Sequence, residues 1–282
     1  MKKITIVIPV YNEETALKNM TDDFRNLLND FEILFVNDGS KDNSFDIIKS
    51  NNFNVISNPY NMGYGASIKR GVRNAQTEYV AIMDADFQHR PEDIYEISRH
   101  IDNYDMVIGA RTADSHFPLF RKPGKFLISR FASYVAGFKI KDINSGIRIF
   151  KKNEFMRFID ILPNGFSLTT TITLLYIKSG YSLLYVPITV MKRKGKSSVG
   201  ITDGLRTMLL ILRTLLLFGP LKFFLPLSLF VFLTGFGELV YEFYIHQYLH
   251  FSTSSLLLFI SSLLIFLFGL ISEQINELKR VQ

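Results

Sequence analysis

The sequence predicts an α/β protein: a mostly parallel sheet covered by helices, followed by an interfacial helix and two transmembrane helices. Three observations carry this reading. Short runs rich in β-branched residues alternate with segments of helical spacing. Polar residues gather where those runs end. From about residue 201 onward, the chain becomes almost continuously apolar.

Taken in order, the strands are 4–10 (ITIVIPV), 31–36 (FEILFV), 53–57 (FNVIS), 78–83 (EYVAIM) and 105–110 (DMVIGA), each bounded by Asn, Asp, Gly or Pro. Segments 14–29, 42–50, 63–75 and 91–102 each have room for a crossover helix, with Pro91 placed for a first turn. Alternation of this kind favours a parallel sheet buried on both faces. Residues 112–150 are less regular and richer in Arg, Lys, Phe and Gly. Residues 168–177 (LTTTITLLYI) read as a buried helix and 183–190 (LLYVPITV) as a late strand, followed by the basic loop Lys192–Ser198.

The C-terminal part divides from the rest at about residue 200. Segment 201–219 carries Asp203, Arg206 and Arg213 among leucines, the pattern of a helix lying in a membrane interface. Region 220–282 reads as a transmembrane hairpin with spans at about 221–241 and 253–273. The connection 241–253 has no Lys or Arg, whereas Lys222 precedes the first span and Lys279 and Arg280 follow the second. By the positive-inside rule, both ends of the hairpin and the whole domain 1–200 face the cytoplasm; rich Lys, Asn, Ile and Phe usage points to a bacterium and so to its inner membrane. Glu238 is expected to mark the outer end of the first span. A buried helical hairpin of a soluble protein is the rival reading, but it would leave too much apolar surface exposed.

Bulk composition agrees. Hydrophobic residues make up 48% and charged residues 21% of the 282, so the apolar residues are concentrated rather than spread. The chain has no cysteine, which excludes disulfides, zinc thiolates and a cysteine nucleophile. A net charge of +6 suits an anionic partner. The N-terminal apolar run is too short for a signal peptide, lacks a cleavage site, and reads as the first strand.

In such sheets ligands sit at the carboxyl ends of strands. The polar groups found there are Tyr11, Asn12 and Glu13; Asn37, Asp38 and Ser40; Asp84 and Asp86; and Arg111. The stretch VAIMDADFQH is the most informative. In extended chain, positions i and i+2 share a face, so Asp84, Asp86 and Gln88 converge. As bare residues they fit a turn and helix cap equally well. At a ligand edge, hard oxygen donors suit Mg²⁺ or Mn²⁺ with positions left open for substrate phosphates, and a nucleoside diphosphate is the natural guest.

The segments VIPVYNEE, VNDGSKDNS, NMGYGASIKRG, DADFQHRPED, IGAR, DINSGIRIF and KRKGKSS, in this order, resemble family-2 glycosyltransferases of the Rossmann-like GT-A fold. Within that family the chain looks like the polyprenyl-phosphate glycosyltransferases similar to dolichyl-phosphate mannose synthase. The resemblance implies that Pro9, Tyr11, Glu13 and Asp38 line the base and ribose pocket, and that the Gly63 and Gly65 loop lets backbone approach the nucleotide. For each glycine alone, a tight turn is an equal reading. Asp84 would sit near the nucleotide, and Asp84, Asp86 and Gln88 supply metal ligands. Asp142, Ser145, Gly146 and Arg148 match the acceptor-side motif, with Asp142, Asp86 and Arg148 the expected catalytic residues. Arg111, Arg130, Arg193 and Lys196 are candidates to hold the lipid phosphate or the leaving diphosphate, although a solvated basic face alone would explain the KRKGK run. His89 is expected at the surface or behind the ligands. Arg90 departs from the family, where proline is frequent.

The implied reaction is metal-dependent, inverting transfer of a sugar from a UDP- or GDP-linked donor to polyprenyl phosphate, undecaprenyl in a bacterium. The product would be a lipid-linked sugar for the cell envelope. A phosphate is already nucleophilic, so catalysis rests on alignment and electrostatics. Asp142 either orients the acceptor or takes a residual proton. Some relatives form homo-oligomers through their hairpins. Rival readings are a transferase with a saccharide acceptor and a non-catalytic membrane scaffold. A processive polysaccharide synthase is disfavoured because the chain has no tryptophan for a Q-x-x-R-W motif. Nucleic-acid binding is disfavoured because the basic residues lie beside the membrane segments.

Overall fold

The computed structural model describes residues 3–86, 89–111, 145–189, 219–248 and 251–281. They fall into two compact units, one carrying a sheet with its helices and the other a helical hairpin. The first unit contains β1 (Ile4–Val10), α1 (Glu14–Leu27), β2 (Glu32–Asn37), α2 (Ser44–Ser50), β3 (Asn54–Ser57), α3 (Tyr64–Asn74), β4 (Tyr79–Ile82) and α4 (Pro91–Ser98). It continues with β5 (Met106–Arg111), β6 (Arg148–Lys151), α5 (Lys152–Met156), α6 (Leu168–Lys178) and β7 (Leu183–Ile188).

The seven strands are ordered β3-β2-β1-β4-β6-β5-β7. All pairings are parallel except those of β6, which runs antiparallel between β4 and β5. The sequence reading placed β6 in an irregular region. Its four residues are too few to show a period, and its buried pattern comes entirely from its two neighbours.

Alternation along the strands builds a core on each face. Ile4, Ile6, Ile8 and Val10 of β1 join Leu17, Met20 and Phe24 of α1 and Ile94 and Ile97 of α4. On the other face, Val7, Val36, Val80 and Ile82 meet Ile68 and Val72 of α3 and Ile172 of α6. α3 lies unusually close to the sheet, because a Cβ on Gly71 would fall 2.2 Å from Val7 Cγ1. That approach brings the N-terminus of α3 to the carboxyl edge of β1 and β4.

The second unit is the pair α7 (Pro220–His246) and α8 (Thr253–Val281). Over Pro220–His246 and Thr253–Leu278 the mean hydropathy reaches 1.9 and 2.5, and both helices are long and apolar enough to cross a membrane. Small residues let them pack: Gly235 faces Leu258 and Phe259, Gly269 faces Phe224, and Ser262 Oγ donates to the Ser228 carbonyl at 2.9 Å. Each helix also offers a carboxylate to the other's beginning. Glu273 Oε2 accepts from the Leu221 amide at 3.3 Å, and Glu238 Oε1 accepts from Ser252 Oγ at 3.1 Å. Ser252 in turn caps α8 by accepting from the Ser255 amide at 3.2 Å. Glu238 lies within α7, which continues to His246, and its side chain meets the start of the partner helix.

Candidate active site at the carboxyl edge of the sheet

Strand lengths open the site. β1 pairs with β2 as far as Val10 and Asn37, but with β4 only as far as Val7 and Ile82. The Val7 carbonyl accepts from the Met83 amide at 3.2 Å, so the polar groups of odd-numbered β1 residues face β4. Pro9 has no N–H to offer on that side, and it lies beyond the point where β4 ends. A proline is thus tolerated in an inner strand, at the base of a notch.

The loops above β1 and β2 are laced together. Asn12 takes a left-handed conformation (φ 56°); its amide donates to Ser40 Oγ at 3.1 Å, and its Oδ1 accepts from the Lys41 amide at 2.8 Å. The Glu13 amide donates to Ser44 Oγ at 2.9 Å. Tyr11 is exposed at this rim.

Asp38, at the end of β2, is buried. Its Oδ1 accepts from Asn58 Nδ2 at 2.7 Å and the Met62 amide at 2.9 Å, and its Oδ2 from the Gly63 amide at 2.9 Å. Arg70 Nη1 donates to Asn58 Oδ1 at 2.8 Å, fixing which end of that amide faces Asp38. Asp38 therefore shapes the loop that opens α3. Gly63 has φ 101°, and a Cβ there would lie 2.6 Å from the Asn164 carbonyl oxygen. At Gly65 it would lie 2.3 Å from the Pro163 carbonyl oxygen. What presses on both glycines is the chain's own 163–165 segment.

Asp84 and Asp86 follow β4, both partly buried. Asp84 Oδ1 accepts a 2.7 Å hydrogen bond from Tyr64 Oη. Burial raises the Tyr64 pKa well above the usual phenol value, and the negative charge of Asp84 adds to the effect. The hydroxyl therefore stays a donor to Asp84. On its other side Asp84 meets the Cα of Gly146, where a Cβ would fall 1.9 Å from Oδ2. Register explains the contact: Ile82 pairs with Arg148 across antiparallel strands, so Asp84 and Gly146 come opposite each other just past the pair.

Three residues at this edge are buried. Arg148 is fully buried; Nη1 donates to the Thr169 carbonyl at 2.8 Å and Thr173 Oγ1 at 2.9 Å, and Nη2 to the Ser145 carbonyl at 2.6 Å. It holds α6 against β6 behind Asp84. Ser145 is also fully buried and gives its hydroxyl to the Gly109 carbonyl, tying β5 to the approach of β6. His89 is buried. Arg111 closes β5 opposite Ile188 through its backbone. Gln88, Arg130, Asp142, Arg193 and Lys196 lie outside the described residues.

Tyr64 carried no role in the sequence reading. Its one signal was an aromatic residue between two glycines at a helix start, in MGYGAS. The structure also brings Phe166 to this edge, stacked on Tyr64 with ring centroids 5.3 Å apart and planes at 19°.

The family model for glycosyl transferase family 2 matches residues 5–160, covering β1 to β6 and every contact of Asp84 described above. The chain belongs to glycosyl transferase family 2. A second model, the GtrB C-terminal hairpin, matches residues 219–278, so the chain joins a family-2 glycosyltransferase domain to a GtrB-type hairpin. The UDP-N-acetylglucosamine–dolichyl-phosphate N-acetylglucosaminyltransferase of Methanococcus voltae is 32% identical over 178 residues, which are 54% of this chain and 70% of that relative. The undecaprenyl-phosphate 4-deoxy-4-formamido-L-arabinose transferase of Photorhabdus laumondii is 28% identical over 189 residues, 60% of this chain and 58% of that one. Among solved structures, glucosyl-3-phosphoglycerate synthase from Mycobacterium tuberculosis, crystallised with Mn²⁺, UDP and glucosyl-3-phosphoglycerate, superposes with a TM-score of 0.63 at 15% identity, covering 76% of this chain and 79% of that one. Such a likeness shows that this family-2 glycosyltransferase has the GT-A fold.

Proposed function

We propose that this glycosyltransferase moves a sugar from a UDP- or GDP-linked donor to polyprenyl phosphate at the cytoplasmic face of the inner membrane, with a divalent cation and inversion at the anomeric carbon. One observation carries the reading: a family-2 domain with paired carboxylates at the end of β4 shares its chain with a GtrB-type apolar hairpin. A water-soluble acceptor would not need the hairpin. The relatives named for dolichyl-phosphate and undecaprenyl-phosphate transfer support the same acceptor class.

The residues fit a hard cation. Asp84 and Asp86 are acidic oxygen donors one residue apart at a ligand edge, and among the described residues no third His, Asp or Glu side chain joins them in a cluster. Mg²⁺ or Mn²⁺ held there would fill its shell with water and donor phosphate oxygens, as these ions do with one or two protein carboxylates. The ion would neutralise charge on the departing nucleoside diphosphate. Tyr64 donates to Asp84 and orients it, while Asp38 fixes the loop from Asn58 to Gly63 beside the notch where the base and ribose would lie. The acceptor phosphate is an anion already, so no strong base is required, and alignment carries most of the catalysis.

Purified protein in detergent, given radiolabelled UDP- and GDP-sugars, undecaprenyl phosphate and Mg²⁺ or Mn²⁺, should move label from one donor into the organic phase, and EDTA should stop it. A folded protein that binds nucleotide but labels no lipid under any donor would refute the acceptor assignment.

A further inference from the structure

Of the six large apolar side chains exposed among the described residues of the first unit, four, Tyr11, Tyr60, Met62 and Phe166, stand on loops at the carboxyl edge, the others being Leu28 and Ile161; Phe166 is the most exposed at 83%. Its exposure does not come from a loose loop. The Asn164 carbonyl accepts from the Ala66 amide at 3.0 Å, the Leu162 carbonyl accepts from Lys69 Nζ at 3.0 Å, and the segment packs on Gly63 and Gly65. Phe166 is also backed by Tyr64, whose hydroxyl holds Asp84. From Ile161 to Ile177 the sequence has no charged residue. A rigid, uncharged and unsatisfied phenyl face therefore stands next to the carboxylate placed at the donor diphosphate.

We propose that Phe166, backed by Tyr64, forms an acceptor subsite for the first isoprenoid units of the polyprenyl chain. This rests on the acceptor class proposed above. The donor's diphosphate and ribose are polar, whereas the acceptor joins its reacting phosphate directly to a hydrocarbon. An apolar surface beside the reaction centre matches that junction, and covering a phenyl ring is worth enough to matter for affinity.

The chain contains no tryptophan, so Phe166→Trp installs a single emission reporter in the full protein, tested in nanodiscs. Undecaprenyl phosphate should shift Trp emission saturably, while nucleotide-sugar, inorganic phosphate and brominated phospholipids leave it unchanged. In parallel, Phe166→Ala should raise the KM for undecaprenyl phosphate about tenfold with the donor KM unchanged, and Phe166→Leu should recover part of the loss. An emission change produced by the donor alone would make the ring a sugar platform and overturn the proposal. Quenching by brominated phospholipids without acceptor would do the same in favour of the bilayer surface. If wild-type protein transfers sugar to undecaprenyl phosphate but Phe166→Ala leaves its KM untouched, this subsite falls while the function stands. If wild-type protein transfers nothing to that lipid, both fall together.

Discussion

Gly146 and Asp84 are in contact: a single Cβ added to the glycine would sit 1.9 Å from the carboxylate oxygen Oδ2. The glycine is on the rigid approach to β6, between the fully buried Ser145 and Ile147, and cannot retreat. The aspartate must move. Gly146→Ala is expected to fold, because the displaced group is one side chain at the edge of the sheet, yet to lose transfer by about a hundredfold, the usual cost of misplacing a reacting group by roughly 1 Å. Circular dichroism together with transfer rates at saturating donor checks both halves.

Tyr64 fixes the opposite side of the same carboxylate. Removing a donor to a charged group costs about 1.5–3 kcal/mol, and here the cost falls on Asp84 rather than on the core. Tyr64→Phe should keep the fold and lower transfer roughly tenfold or more, with a higher Mn²⁺ concentration needed for half-maximal rate. An unchanged metal dependence would separate Tyr64 from the metal site.

Asp86 shares the strand end with Asp84 but has no part in the β4–β6 register. Asp86→Ala should therefore abolish measurable transfer, a loss on the order of a thousandfold given several kcal/mol of charge stabilisation, and leave the protein folded and membrane-bound. Full activity with divalent metal still required would remove Asp86 from the metal site.

Tyr176 concerns stability alone. Among the described residues its buried hydroxyl has no hydrogen-bond partner, and burial pushes its pKa far above the usual phenol value. Tyr181, beside it, is raised by burial and by its hydrogen bond to Glu154. In the unfolded chain both release their protons near pH ~10; in the folded protein they hold them to higher pH. Above pH ~10 the native state thus binds more protons than the unfolded one, and stability falls as pH rises. Tyr176→Phe should raise the melting temperature by about 3 °C at pH 8 by removing an unsatisfied buried group, and should lessen the loss between pH 9 and 11. A lower melting temperature at pH 8 would mean that the hydroxyl is satisfied.

The fold was legible where burial leaves a periodic trace. ITIVIPV, FEILFV and EYVAIM announce strands because both faces of the sheet are covered. β6 was hidden, since four residues carry no period and its antiparallel pairing is decided by its neighbours. The surroundings of Asp84 were hidden for a related reason. Tyr64 is 20 residues away in sequence and reaches Asp84 from α3, while Gly146, just before β6, reaches it through the register of β4 and β6. Arg148 shows the limit of motif reading, which finds a charged residue beside a site without revealing that it is sealed behind it.

Membrane and catalytic functions should be separable at Gly269. A Cβ there would lie 2.6 Å from Phe224 Cβ, and both residues belong to long helices that cannot bend locally to make room. Gly269→Ile should force α7 and α8 apart, costing about 1–3 kcal/mol as overpacking does, and weaken the contact between Glu273 and the beginning of α7. The paired carboxylates lie in the other compact unit, built on its own sheet and two cores. Nucleotide binding should therefore persist at its wild-type affinity while transfer to undecaprenyl phosphate declines. Nucleotide affinity measured by equilibrium dialysis beside organic-phase transfer makes the comparison, and a parallel loss of both would show that the hairpin helps shape the donor site.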